Sequence, residues 1–183
     1  CFVTTASTGN AVDFGNLIAG NPYMASFASP TRGVVAGGYP SPANTNIIQF
    51  ITISSTGNSQ DFGDLLNPIF GAQAASNSTR GIISGGQQAS PVGQVNTIQY
   101  ITISSTGNSQ DFGDSTNKVH IAGGAASSTR AAFFGGYTGL GSPNATNEIN
   151  YVAIATEGDA VDFGDLTLSP MYSCGVSNGH GGL

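Results

Sequence analysis

The residues with chemistry to offer are few, and they recur at fixed intervals. Asp-Phe-Gly occurs at Asp13, Asp61, Asp111 and Asp162, spaced by 48, 50 and 51 residues, and three copies continue to a second acid at Asp64, Asp114 and Asp165. Thr-Arg places Arg32, Arg80 and Arg130 at a matching interval, and His180 stands where a fourth arginine would fall. Paired acids around a glycine could hold calcium, but that ion asks for about six to eight oxygens. A planar guanidinium can instead meet a carboxylate through two parallel hydrogen bonds. Seven of the ten acidic residues and three of the four basic ones lie in these motifs. The pattern therefore predicts Arg32, Arg80, Arg130 and His180 as structural partners of Asp13, Asp61, Asp111 and Asp162, with no metal and no cofactor.

Catalytic arrangements do not emerge. The triplet Asp-Phe-Gly holds magnesium in protein kinases, but no Gly-rich loop, lysine strand or catalytic loop accompanies it here. No Ser-His-Asp, His-x-x-x-His or Cys-x-x-Cys pattern exists. His180, with His120 and Cys174, reads as a hydrogen-bonded structural residue in an arginine's slot rather than a ligand or half of a dyad. The chain is expected not to be an enzyme.

The elements that must position these residues are themselves repeated. Ile51–Asp64 and Ile101–Asp114 are the identical string ITISSTGNSQDFGD. Each unit holds four strand-like runs: a small-residue run such as FGAQAASNS, a short apolar run ending in Gly-Gly (GVVAGG, GIISGG, AAFFGG), a β-branched run (NIIQFITISS, NTIQYITISS, NEINYVAIAT), and the DFGD run. Short runs of β-formers bounded by Gly, Asn and Ser read as antiparallel strands. Gly-Asn and Gly-Asp between the third and fourth runs suit tight hairpin turns. Four strands every ~50 residues is the arithmetic of a kelch-like β-propeller blade. The expected fold is all-β: one propeller domain over 1–183, with units about 1–23, 24–69, 70–118 and 119–168. Residues 169–183 would complete the blade begun by 1–23, giving four blades closed by pairing N- and C-terminal strands. An open segment of a larger propeller is the competing architecture. The phenylalanines should fill the gaps between blades and the motif glycines let backbones approach.

Composition narrows the partners. Charged residues are 8% and net charge is −6, with the only cations at Arg32, Arg80, Lys118 and Arg130. Four dispersed cations make no footprint for nucleic acid. No apolar run approaches the ~18 residues of a membrane span, so no membrane insertion is expected. The start at Cys1 rather than Met reads as a processed chain or a part of a longer product. Cys1 and Cys174 could form a disulfide, or Cys174 could be a small buried residue.

Binding should sit where the repeats disagree. The loops YPSPANTN, QQASPVGQVN and YTGLGSPNATN, and the connections LIAGNPYM, LLNPIF, STNKVH and LTLSPM, vary between units and should share one face. The STGN and STRG turns of the opposite face are nearly invariant. A rigid scaffold presenting a variable loop face is a binding design. Tyr23, Tyr39, Tyr137 and Tyr172 stand in or beside those loops. Such amphipathic rings can stack on sugars or anchor a protein contact, or simply cover the ends of the central channel.

The segments TRGVVAGG, NTIQYITISSTGNSQDFGDL and SNGHGGL resemble the kelch-like repeats of tailed-phage structural proteins, especially from phages of cyanobacteria and other aquatic bacteria. The resemblance spans nearly the whole chain and transfers no catalytic residues. It implies a virion component, such as a tail or head fibre or a decoration, found on the extracellular particle. Its implied partners are other virion proteins, further copies of itself, and a host surface glycan or receptor. Unlike kelch repeats of enzymes and adaptors, this chain has no tryptophan. Two alternatives stay open: a cellular extracellular surface or filament protein, and a carbohydrate-active enzyme on a propeller. The latter needs a close carboxylate pair, yet Glu148 is the nearest acid to the variable loops.

Overall fold

The β-branched and aromatic runs form twelve short strands in the computed structural model, which describes residues 1–139 and 144–177. They are β1 (Ala25–Ala28), β2 (Arg32–Ala36), β3 (Ile47–Thr52), β4 (Gln60–Asp64), β5 (Gln73–Ser76), β6 (Arg80–Ser84), β7 (Thr97–Thr102), β8 (Gln110–Asp114), β9 (Gly123–Ala126), β10 (Arg130–Phe134), β11 (Glu148–Ala153) and β12 (Val161–Asp165). Each successive group of four makes an antiparallel sheet in chain order, and the described residues contain no helix. The register repeats as the sequence does: Val34 opposes Phe50, Ile82 opposes Tyr100 and Ala132 opposes Tyr151.

Consecutive sheets bury their apolar faces against each other. One core cluster joins Phe27, Val34, Phe50 and Phe62 of the first sheet to Ile101 and Ile103 of the second unit. The next joins Ile82, Tyr100 and Phe112 to Val152 and Ile154 of the third. Burying side chains of this size stabilises by roughly 1.5–3 kcal/mol each, so the stacking, not any lone sheet, carries the fold. The inner strands β1, β5 and β9 abut in turn. Apart from Phe27 and Gln73 they are built from Ala, Ser and Gly, because their backbones nearly touch: a Cβ on Gly124 would stand 2.5 Å from the Ala74 carbonyl oxygen. A cavity of about 230 Å³ lies where these strands meet, lined by residues of β1, β5 and β9 and by Gly175, Val176 and Ser177.

Among the described residues, the first and last segments lie beside the stack without pairing to each other. Phe2 pairs with Val12 as a small hairpin, and Phe14 and Asn16 tie its continuation to the first sheet by accepting from Gly57 N (2.7 Å) and Ser59 N (2.9 Å). At the other end, Ala126 N donates to Ser177 Oγ, 3.0 Å away, beside β9. Among the described residues no strand pairing connects these two ends, so the expected closure is not made there. The second-strand stub around His180, which would lie between them, falls outside the described residues. Cys1 and Cys174 are free, and Cys174 is exposed rather than buried.

Candidate functional site

On the invariant face, the motif residues hold sheet to sheet. Residue Phe62 is an extra residue in β4, because Ile48 pairs with Gly63 while Gln49 pairs with Asp61. That bulge drives Phe62 inward, edge-on to Phe50 at 5.8 Å between centroids. Phe112 meets Tyr100 and Phe163 meets Tyr151 in the same way. Gly63 has φ +144° and lies so close to the next unit that a Cβ would stand 2.5 Å from the Gly107 carbonyl carbon. There Gly107 N donates to Phe62 O (2.7 Å), and Asp64 N donates to Asn108 Oδ1 (3.0 Å). Thus Gly-Asn is a clamp between units. The hairpin turn itself falls earlier, at Thr102–Ser105, where Ser105 N donates to Thr102 O.

The arginines take other partners than the expected carboxylates. Arg32 lies over the Phe50 ring at 4.4 Å and donates to the Ile103 carbonyl of the next unit at 2.7 Å. Arg80 lies over Tyr100 at 4.6 Å and donates to the Ile154 carbonyl at 3.0 Å. Arg130 lies over Tyr151 at 4.7 Å. Asp61 and Asp111 are exposed, while Asp13 and Asp162 accept from the amides of Gly15 and Gly164 in their own triplets. The physical reason is the register: Arg32 opposes Thr52, two pairs from Val34 and Phe50 and so on the same face of the sheet, where the guanidinium reaches the ring and the neighbouring sheet. Tyr100 also bridges units, since its hydroxyl donates to Glu157 (2.8 Å), and that bond holds the phenol above its ordinary value.

The opposite face gathers the variable loops. Tyr39 N donates to Pro22 O, Gln87 exchanges two backbone bonds with Phe70, and Tyr137 exchanges two with His120. Each loop is thereby sewn to the connection that enters its own sheet. A second thread runs from unit to unit: Gly71 N donates to Tyr23 O (2.8 Å) and Ile121 N to Gly71 O (2.6 Å). All three residues have positive φ, at 63°, 65° and 55°. Only the glycine adopts that backbone without cost, so Tyr23 and Ile121 hold local strain, a feature that clusters at functional sites.

This backbone lines up five rings. Phe70 meets Tyr23 at 5.8 Å, Tyr39 at 5.7 Å and His120 at 5.8 Å, and His120 meets Tyr137 edge-on at 5.0 Å. Tyr23 is exposed, Tyr39, Phe70 and Tyr137 are half-buried, and His120 is buried. Burial pushes the His120 imidazole below its ordinary value, against an opposing contribution from a backbone bond to Tyr137. A neutral His120 therefore packs as an aromatic ring, with its Nδ1 lacking a hydrogen-bond partner. The structure thus unites Tyr23, Tyr39 and Tyr137 and leaves Tyr172 apart, exposed on the C-terminal segment. Phe70 and His120 belong to the row although only tyrosines were expected in it. Their signal was present, since each ends a variable connection, LLNPIF and STNKVH. Glu148 accepts hydrogen bonds from Thr116 and Asn117, so the acid nearest this face is held in a structural role.

No protein-family model matches the chain, and comparison with curated proteins finds no match.

Proposed function

We propose that this chain is a non-enzymatic structural component of a phage virion, a fibre or decoration protein, whose variable face binds a host surface glycan. In this reading the three sheets are blades of a kelch-like propeller, and residues 169–177 and 1–23 begin a fourth position whose contact with the third sheet is not made within the described residues of one chain. That architecture draws support from the cavity that β1, β5, β9 and Gly175–Ser177 line together. The virion assignment rests on the resemblance of TRGVVAGG and NTIQYITISSTGNSQDFGDL to phage repeats.

The observation that carries the binding assignment is the row Tyr23–Phe70–Tyr39 with His120–Tyr137. Rings with one apolar face and a polar tip, flanked by Asn, Ser and Gly, suit the mixed surface of a sugar. Tyr23 stands on strained backbone and the other four rings on backbone tied by cross-loop hydrogen bonds, so little order has to be gained on binding. The test is binding of the purified protein to a glycan array and to whole host cells, with Tyr39→Ala and Tyr137→Ala beside it. Each substitution should weaken binding about tenfold or more, roughly 1.4 kcal/mol, while Ser55→Ala on the invariant face should leave it unchanged. A wild type that binds no glycan and no cell would remove the adhesive role and leave a decoration or assembly module.

A further inference from the structure

The same docking pattern is made three times within the chain and left unmade a fourth time. Gly57 N, Gly107 N and Gly158 N donate, each at 2.7 Å, to Phe14 O, Phe62 O and Phe112 O of the preceding unit. Asn58, Asn108 and Asp159 accept from the amides of Asn16, Asp64 and Asp114. At the two junctions between full sheets, Ile101 with Ile103 and Val152 with Ile154 fill the groove of the preceding sheet. Phe62 and Phe112 are 3% exposed as a result.

The third sheet has the receiving half of this pattern and, among the described residues, nothing seated in it. Phe163 is 62% exposed and Val161 54%. A groove of about 210 Å³ runs beside them between Ala126, Arg130, Tyr151 and Phe163. A Cβ on Gly164, whose φ is +137°, would meet no atom within 4 Å, unlike those on Gly63 and Gly113. The donating half exists too. In the N-terminal hairpin, Gly9 and Asn10 stand where Gly107 and Asn108 stand in their unit, and Val3 and Thr5 stand where Ile101 and Ile103 stand. Val3 is 56% exposed, and Gly9 has open space around it.

We infer that the outer face of the third sheet is a docking surface for the N-terminal hairpin, Phe2–Val12, of a second copy of this chain. The hairpin of the same chain is tied to the first sheet and leaves the groove uncovered. Two complementary surfaces presented on one body, each unfilled, define a head-to-tail contact. The expected bonds are Gly9 N to Phe163 O, Asp165 N to Asn10 Oδ1, and Arg130 to Thr5 O, with Val3 and Thr5 in the groove. This goes beyond the adhesive reading and does not depend on it: assembly occupies the edge of the stack and leaves the aromatic row open.

The test is the mass distribution of the full chain by sedimentation or light scattering over a concentration series, with Val3→Glu and Phe163→Glu. Both residues are exposed within one chain, so the folded chain should tolerate either charge. Wild type should associate as concentration rises, and each variant alone should remain a single chain. An equimolar mixture of the two should form dimers and stop there, because it contains one intact hairpin face and one intact groove per pair. A wild type that stays a single chain at every concentration would overturn the inference, whether its own hairpin closes the groove or the groove stays bare. So would variants that associate as wild type does, or a mixture that stays single.

Discussion

Asn150 is one methylene too short for its place. In the first two units the corresponding residues are Gln49 and Gln99, both buried, whose Oε1 atoms accept from Ile18 N (2.8 Å) and Leu66 N (3.0 Å) of the preceding connection and from Ser59 and Ser109. In the third unit Thr116 stands where Leu66 stood, Ala160 replaces the serine, and Asn150 Oδ1 is buried without a partner. Glu148 compensates in part by reaching Thr116 Oγ1 and Asn117. A buried orphan acceptor costs on the order of 1–3 kcal/mol, and a restored hydrogen bond contributes about 1 kcal/mol. The double substitution Asn150→Gln with Ala160→Ser should therefore stabilise the protein by about 1 kcal/mol. Urea unfolding would read this as a higher midpoint at unchanged slope. A lower midpoint would mean that the third unit has repacked around asparagine and has no room for the longer amide.

At the scale of the element, the Asp-Phe-Gly strands ask one glycine to meet two demands at once. Gly63, Gly113 and Gly164 share φ values of 144°, 146° and 137°, so each is costly to replace on backbone grounds. Only the first two also face the next unit, where a Cβ on Gly113 would stand 2.5 Å from the Gly158 carbonyl oxygen. Gly164→Ala thus measures the backbone cost alone, about 1–3 kcal/mol. Gly63→Ala and Gly113→Ala add overpacking of a further 1–3 kcal/mol or so, and should melt well below Gly164→Ala in parallel thermal scans. Equal melting of all three would show that the junctions yield without cost. The close approach was legible in the sequence, because four strand runs per unit, small inner residues and a recurring Phe-Gly already imply stacked sheets; the left-handed backbone of these glycines was not. The partners of Arg32 and Arg80 were not legible. Spacing puts Arg and Asp at the same end of a sheet, but only the register decides whether a guanidinium faces a carboxylate, a ring or a neighbour's carbonyl. Phe70 and His120 escaped for a related reason: the row draws on two different repeat positions, and left-handed backbone at Tyr23 and Ile121 is what brings them side by side.

For the molecule as a whole, stability should be graded along the stack. When each unit touches only its neighbours, protection is close to a sum of unit and nearest-neighbour contributions. The second sheet has a full sheet on either side, and Ile82, Ile83 and Ile98 are completely buried. The third sheet has one such neighbour and an open outer strand, and the N-terminal hairpin is held to the first sheet mainly by backbone bonds at its end. Amides of β6 and β7 should therefore exchange with solvent about ten- to a hundredfold more slowly than those of β11 and β12, and the hairpin amides Phe2 and Val12 fastest of all. Hydrogen-exchange mass spectrometry on dilute protein would read this order directly. Uniform protection across all three sheets would mean that the stack opens only as one cooperative unit. In that case the contacts between sheets, rather than those within them, would set the stability of every strand.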